Sequence, residues 1–247
     1  MKSTDCPPYR EISVVYPAYN EEANVRLTLD RSIEALKSQF ERFEIIIVDD
    51  GSTDQTLALL NEYASIHPEI IVLSNETNSG AGDSMLRGMM AASCSLVVNN
   101  AMDYPFDLSD LSKMCPLTEV ADVVVAAREG RPGYTLYRHF LSRVNWTLLR
   151  VLFGLPLSDL NFVQIYKQEV LQSISVQSRS AGFMPAEMLI QARDQSFRIQ
   201  EIEIPYHPRL AGKSVMGNPK VALTSLMEML SFWVARRRRL REVIKNR

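Results

Sequence analysis

The chain has 247 residues, 46% of them hydrophobic and 23% charged, with a formal net charge of −2. That suffices for one large α/β domain or two small ones, is ordinary for a globular protein, and excludes a protein drawn to nucleic acid by an overall basic field. The three cysteines (Cys6, Cys94, Cys115) and three histidines (His67, His139, His207) are too scattered to suggest a zinc site or a disulfide framework.

The opening MKSTDCPPYREI has no apolar core of a secretory signal, so a reducing cytoplasm is the expected location. EISVVYP, Glu11 to Pro17, is a β-rich run stopped by proline. A helix follows, with Asn20 as its expected N-cap and Val25, Leu29, Ile33 and Leu36 at helical spacing. EIIIVDD, Glu44 to Asp50, is nearly continuous in apolar residues, as a strand covered on both faces should be. STDQTLALLNEYASI carries a Ser52-x-x-Gln55 capping box before a second helix. IIVLSN reads as a strand, AGDSMLRGMMAAS as a helix, CSLVVNN as a strand, DLSDLSKM as a short helix and ADVVVAAR as a strand. Beyond residue 128 come a long helix ending at Gly154, shorter helices at KQEVLQSI and MPAEMLIQARDQS, a late strand in FRIQEIEIPY and a terminal helix of some thirty residues.

Alternating strands and helices predict a mainly parallel sheet with helices on both faces. In such sheets ligands bind beyond the carboxyl ends of the strands. The residues there are Pro17 to Glu21, Asp49 to Asp54, Asn75 to Gly82, Asn99 to Asp107, and Arg128. Asp49 and Asp50 are placed to accept hydrogen bonds from ribose hydroxyls or a base. NSGAGDSMLRG reads either as a phosphate loop or as a tight strand-to-helix turn; it has neither GxxxxGK[ST] nor a third glycine in the GxGxxG place, which Met85 occupies.

VVYPAYNEEANV, IIIVDDGSTDQT, NSGAGDSMLRG and PYHPRLAGKS, taken together and in order, resemble the family 2 glycosyltransferases, with most similarity to dolichyl-phosphate mannosyltransferases and bacterial polyprenyl-phosphate sugar transferases. The resemblance spans about residues 11 to 215. It implies a GT-A fold and inverting transfer of a sugar from a nucleotide sugar such as GDP-mannose or a UDP-sugar to a polyprenyl or dolichyl phosphate. It implies one domain over 1–247, with a nucleotide-binding half at 11–128, an acceptor side at 129–215 and a basic helix at 216–247. By motif, Pro17, Tyr19, Glu21, Val48, Asp50, Asn99 and Asn100 would line the nucleotide-sugar site, with Arg128, Arg209, Lys213 and Ser214 on the diphosphate. Arg138, Ser142 and Arg143 would meet the acceptor phosphate, so that Asp103, Arg128 and Arg138 carry the catalytic work.

The departures are specific. Where the family has D-x-D-x-Q-x-P-x-[DE], Pro105 and Asp107 fix the register, and Asn99 and Ala101 stand at the two metal-gripping aspartates. Asp103 alone could offer Mg2+ or Mn2+ a carboxylate, a depleted site by the standard of such ions. Gln164 replaces an arginine, and Val215 a lysine. The competing expectations are a non-catalytic nucleotide-binding or partner subunit on the same fold and a transferase to a glycan hydroxyl. An ionised lipid phosphate would need no general base, whereas a hydroxyl would. On the sequence alone, Asp50→Ala should weaken nucleotide binding and leave folding intact.

No run reaches the roughly 18 apolar residues that span a bilayer. Leu226, Met229, Leu230, Trp233 and Val234 recur at helical spacing before ARRRR. That pattern suits a helix lying on the cytoplasmic membrane face or on a membrane-protein partner.

Overall fold

The computed structural model describes residues 9–130, 136–205 and 219–245. Strands β1 (Tyr9–Ala18), β2 (Phe40–Asp49), β3 (Ile70–Ser74), β4 (Leu96–Asn99), β5 (Val123–Glu129), β6 (Gln164–Lys167) and β7 (Ile199–Pro205) form one sheet in the order β3-β2-β1-β4-β6-β5-β7. All neighbours run parallel except β6, which is antiparallel to both β4 and β5. The expected mainly parallel α/β architecture of the GT-A type is therefore present. β6 falls within FVQIYK, where no strand is expected from sequence; four residues are too few for a period to show.

Side chains alternate across the sheet with the strand period of two. Ile12, Val14, Tyr16, Ile45, Ile47, Val98, Val124 and Ile165 face one core. That core is closed by α1 (Glu22–Lys37), α2 (Thr56–Ile66) and α4 (Leu111–Met114). Val15, Ile46, Val97, Val123, Val125 and Tyr166 face a second core. It is closed by α3 (Ala81–Ala91), α5 (Leu136–Phe153), α6 (Gln168–Ser173), α7 (Met184–Asp194) and α8 (Pro219–Lys245).

Two helix starts differ from the expected ones. Asn20 has φ +55 and is not a cap; α1 begins after Glu21, which makes no side-chain cap bond. The Ser52–Gln55 box is also unmade. The first two strand-to-helix loops cap each other instead. Ser52 Oγ accepts from Asn20 N, Asn20 Oδ1 from Thr53 N, Thr56 Oγ1 from Glu21 N, and Glu22 Oε2 from Gln55 N. Each loop thereby supplies acceptors for the backbone N–H groups of the other, just ahead of the two helices.

Gly82, in the first turn of α3, lies against the chain that leads into α7. A Cβ there would sit 2.1 Å from Arg179 O and 2.8 Å from Ala181 N, both backbone atoms. The same stretch is held on its far side by α8, where Glu228 accepts from Arg179 N and Ser180 N. Gly82→Ala must push the two apart, and overpacking of this kind costs about 1–3 kcal/mol. A melt should show it at about 2–4 °C per kcal/mol for a domain of this size. An unchanged melting temperature would mean that this close approach is absent in solution.

Candidate active site

The parallel register brings the carboxyl ends of β1, β2 and β3 level: Ala18 pairs with Asp49, and Asp49 with Ser74. Tyr19 projects from this edge, exposed, beside the half-buried Pro17 and Glu21. Val48 is fully buried in the sheet, so only its backbone faces the edge. Gly51 has φ +72, and a Cβ there would lie 3.0 Å from Asn78 N, because the loop after β3 crosses over it. Glycine is required at this point both for its backbone and for its missing side chain.

Asp50 is 2% exposed, and its carboxylate is the anchor of that crossing loop. Oδ1 accepts from Asn75 Nδ2 at 2.8 Å, Ser79 N at 2.9 Å and Ser79 Oγ at 2.8 Å, and Oδ2 accepts from Gly80 N at 2.8 Å. Arg87 in turn donates to Asn75 Oδ1 and to Ser74 O. Burial pushes the Asp50 carboxyl up, but the donors on Ser79 and Asn75 outweigh it and hold it below the usual range. NSGAGD is thus the tight turn of the two readings, and the N–H groups of Ser79 and Gly80 are taken by a carboxylate of the protein. Asp50→Ala is therefore expected to touch the fold as well as any binding. Its neighbour Asp49 is 1% exposed and keeps one carboxylate oxygen without a hydrogen-bond partner.

The loop after β4 turns inward. Asn99 Oδ1 accepts from Gln164 N, and its amide donates to Phe162 O. Asn100 is buried, with Oδ1 accepting from Ala101 N and Nδ2 donating to Phe106 O. Both amides tie the loop together, so each oxygen has one lone pair left for the nucleotide-sugar contacts expected of Asn99 and Asn100. Met102, Tyr104 and Phe106 are core residues, and Thr28 of α1 donates to Met102 O at 2.6 Å. Burial pushes the Tyr104 phenol up to about 12.

A divalent ion wants several oxygen ligands, at least one of them a carboxylate that it can reach. Ala101 offers no side-chain ligand, each asparagine oxygen already accepts one hydrogen bond, and Asp103 is only 5% exposed. Among the described residues no three His, Cys, Asp or Glu side chains are grouped to hold a metal. Asp103 is thus the carboxylate this loop has for Mg2+ or Mn2+, the depleted site expected from sequence.

Arg128 ends β5 where expected, but it faces a partner the sequence did not suggest. Its Nε lies 2.5 Å from Asp159 Oδ2 and its second guanidinium nitrogen 2.9 Å from Asp159 Oδ1, with side chains 12% and 4% exposed. The guanidinium carbon stands 5.4 Å from the Phe162 ring centroid. No local spacing links residues so far apart in the chain, so nothing in the sequence points to this pair. Gln164, in the family's arginine position, is buried, donating to Leu160 O and accepting from Tyr166 OH. A neutral amide suits this place, since a buried guanidinium would need a counter-charge.

On the acceptor side, Ser142 is half-buried and Arg143 exposed on α5. Arg138 lies in the first turn of that helix, and its side chain is outside the described residues, as are Arg209, Lys213 and Ser214.

A family model described as glycosyl transferase family 2 matches residues 13–179. Glycosyltransferases of Mycobacterium tuberculosis and Mycobacterium bovis are 30% identical over 228 residues, covering 90% of this chain and 96% of theirs. Among solved structures, glucosyl-3-phosphoglycerate synthase from Mycobacterium tuberculosis is similar in fold. Its complex with Mn2+, UDP-glucose and phosphoglyceric acid matches with a TM-score of 0.70 and 22% identity, over 91% of this chain and 80% of that one. Its complex with Mg2+ and UDP matches at 0.68 and 21%, over 90% and 79%.

Proposed function

The chain belongs to glycosyl transferase family 2, and from that membership we propose that it moves a hexose from a GDP- or UDP-sugar to a polyprenyl or dolichyl phosphate, with inversion. That it is a nucleotide-sugar glycosyltransferase follows from the family; the lipid-phosphate acceptor is the further step.

The observation that supports this acceptor is the commitment of the carboxylates at the sheet edge. A hydroxyl acceptor needs a general base within reach. Among the described aspartates there, Asp50 is held by four hydrogen bonds, Asp54 and Asp107 each accept from the backbone two residues on, Asp159 is paired with Arg128, and Asp49 and Asp103 are almost wholly buried; Glu129, at the end of β5, is exposed. A phosphate monoester is already ionised near neutral pH and needs positioning only. In this reading Pro17, Tyr19 and Glu21 bound the nucleotide pocket, and Arg128, Arg209, Lys213 and Ser214 meet the diphosphate. Arg138, Ser142 and Arg143 steer the acceptor phosphate, charge-assisted contacts being the strong ones. An acceptor oxygen forms the new bond to the anomeric carbon from the face opposite the leaving group. The bond to the nucleoside diphosphate breaks, and its electron pair leaves with the diphosphate. Residues 11–128 then serve the donor and 129–215 the acceptor. A lipid acceptor places the enzyme at the cytoplasmic membrane face.

Labelled GDP-mannose and UDP-glucose, offered with a detergent-dispersed polyprenyl phosphate, test this. One of them is expected to yield lipid-extractable label, and to do so in EDTA as well as in Mn2+, given the ligand set of the β4 loop. Label found only on a hydroxyl acceptor, or complete loss of transfer in EDTA, would overturn the corresponding part.

A further inference from the structure

α8 has two apolar faces, and the domain uses one. On the inner face Met229 is buried, Phe232 packs 5.9 Å from Phe153 and 5.8 Å from Phe183, and Trp233 joins the second core. Glu228 accepts from the backbone of Arg179 and Ser180, and Arg236 pairs with both oxygens of Asp194. The stripe expected from sequence therefore divides, with Met229 and Trp233 going to the core and Leu230 and Val234 remaining outside. They do not remain alone. Leu223, Met227, Leu230 and Val234 are 58%, 55%, 44% and 40% exposed. With 3.6 residues per turn, these four lie within an arc of about 60°, opposite the inner face. The inner contacts hold α8 to the domain, so the outer stripe is a fixed surface.

Arg237 and Arg238 border this stripe, one on each side by the same geometry. The Arg237 guanidinium stacks 4.1 Å from the Trp233 ring centroid, and Arg238 and Arg239 are exposed. Between residues 219 and 241 the one acid is Glu228, which is engaged on the inner side. Charge decides the occupant. In a parallel pairing of two copies the arginine run would oppose itself, and in an antiparallel pairing it would meet the other helix's basic start, which offers Lys220 and no acid. An anionic bilayer complements both the stripe and the arginines. We propose that α8 docks the enzyme on an anionic lipid surface, with Leu223, Met227, Leu230 and Val234 at the acyl boundary and Arg237 and Arg238 among the headgroups. The purpose of such docking rests on the lipid-phosphate reading above.

Flotation of the full-length protein with equimolar phosphatidylcholine–phosphatidylglycerol vesicles, against phosphatidylcholine alone, tests it. At low salt the protein should float with the anionic vesicles only. Met227→Glu/Leu230→Glu should lower partition at least about tenfold, and Arg237→Glu/Arg238→Glu should lower it and flatten its salt dependence. Met227 and Leu230 face solvent, so that variant's melt should match the parent's, and the arginine variant, which also loses the Arg237–Trp233 stack, should melt no more than a few degrees lower. Failure of the parent to float overturns docking, as does a stripe variant that floats equally well. A dimer that the stripe variant splits, without flotation, assigns the face to a second copy and also overturns it. Transfer to detergent-dispersed polyprenyl phosphate, measured in parallel, separates the two readings: flotation without transfer overturns the acceptor alone, and transfer without flotation overturns docking alone.

Discussion

Asp50→Ala is expected to destabilise the fold by about 3–5 kcal/mol, because four hydrogen bonds to one buried carboxylate are lost and the freed donors stay largely out of water. Chemical denaturation of the purified variant measures it. The Ser79 and Gly80 N–H groups are the most costly to strand, since the Asn75 and Ser79 side chains can turn toward water. Asp50→Asn should be nearly as damaging, because its NH2 would face donors. The charge also has a pH signature. A carboxyl held below its ordinary value of 3.8 adds stability above that value and loses it as the pH falls toward the lower folded value. The parent's acid limb below about pH 4 should therefore carry a contribution that Asp50→Asn lacks. A variant as stable as the parent, with an unchanged acid limb, would mean that Asp50 is free to serve a ligand, as its place in the sequence suggests.

That contrast marks where the sequence is legible. The runs that became β2 and β5 are continuous in apolar residues and the one that became α8 keeps a helical period, so their kind and order can be read directly. The edge at which the site forms can be read as well, because strand ends in a parallel sheet are where loops converge. What escapes is partnership. Asn20 and Ser52 look like caps of their own helices, yet each serves the loop across from it. Asn99 and Asn100 look like weakened ligands, yet their amides fasten the β4 loop to β6 and to Phe106. Met102, Tyr104 and Phe106 give the clearest missed signal: three large apolar residues at alternate positions describe a loop that enters the core. The exposed stripe on α8 was half visible, because a helix apolar on two sides defeats any argument from a single face.

Breaking the Arg128–Asp159 pair is expected to show what Arg128 is for. Removing one partner of a buried, bidentate ion pair costs about 3–5 kcal/mol, while replacing both by apolar side chains of similar size is often close to neutral. Arg128→Met and Asp159→Leu should each fall in that range, and the double variant should recover most of the loss. Nucleotide binding then separates the two residues. If the diphosphate meets Arg128, Asp159 competes with it for the same guanidinium. Arg128→Met should weaken binding of the cognate nucleoside diphosphate by the worth of a charge-assisted contact, about 1.5–3 kcal/mol, or roughly 10- to 150-fold. Asp159→Asn should unsettle the fold yet leave that affinity unchanged or tighter, since the guanidinium is released toward the ligand. Calorimetry below the variants' melting temperatures reads both. Equal loss of affinity in Arg128→Met and Asp159→Asn, tracking their loss of stability, would make the pair a brace between β5 and the segment before β6, and the diphosphate would then fall to the other basic residues.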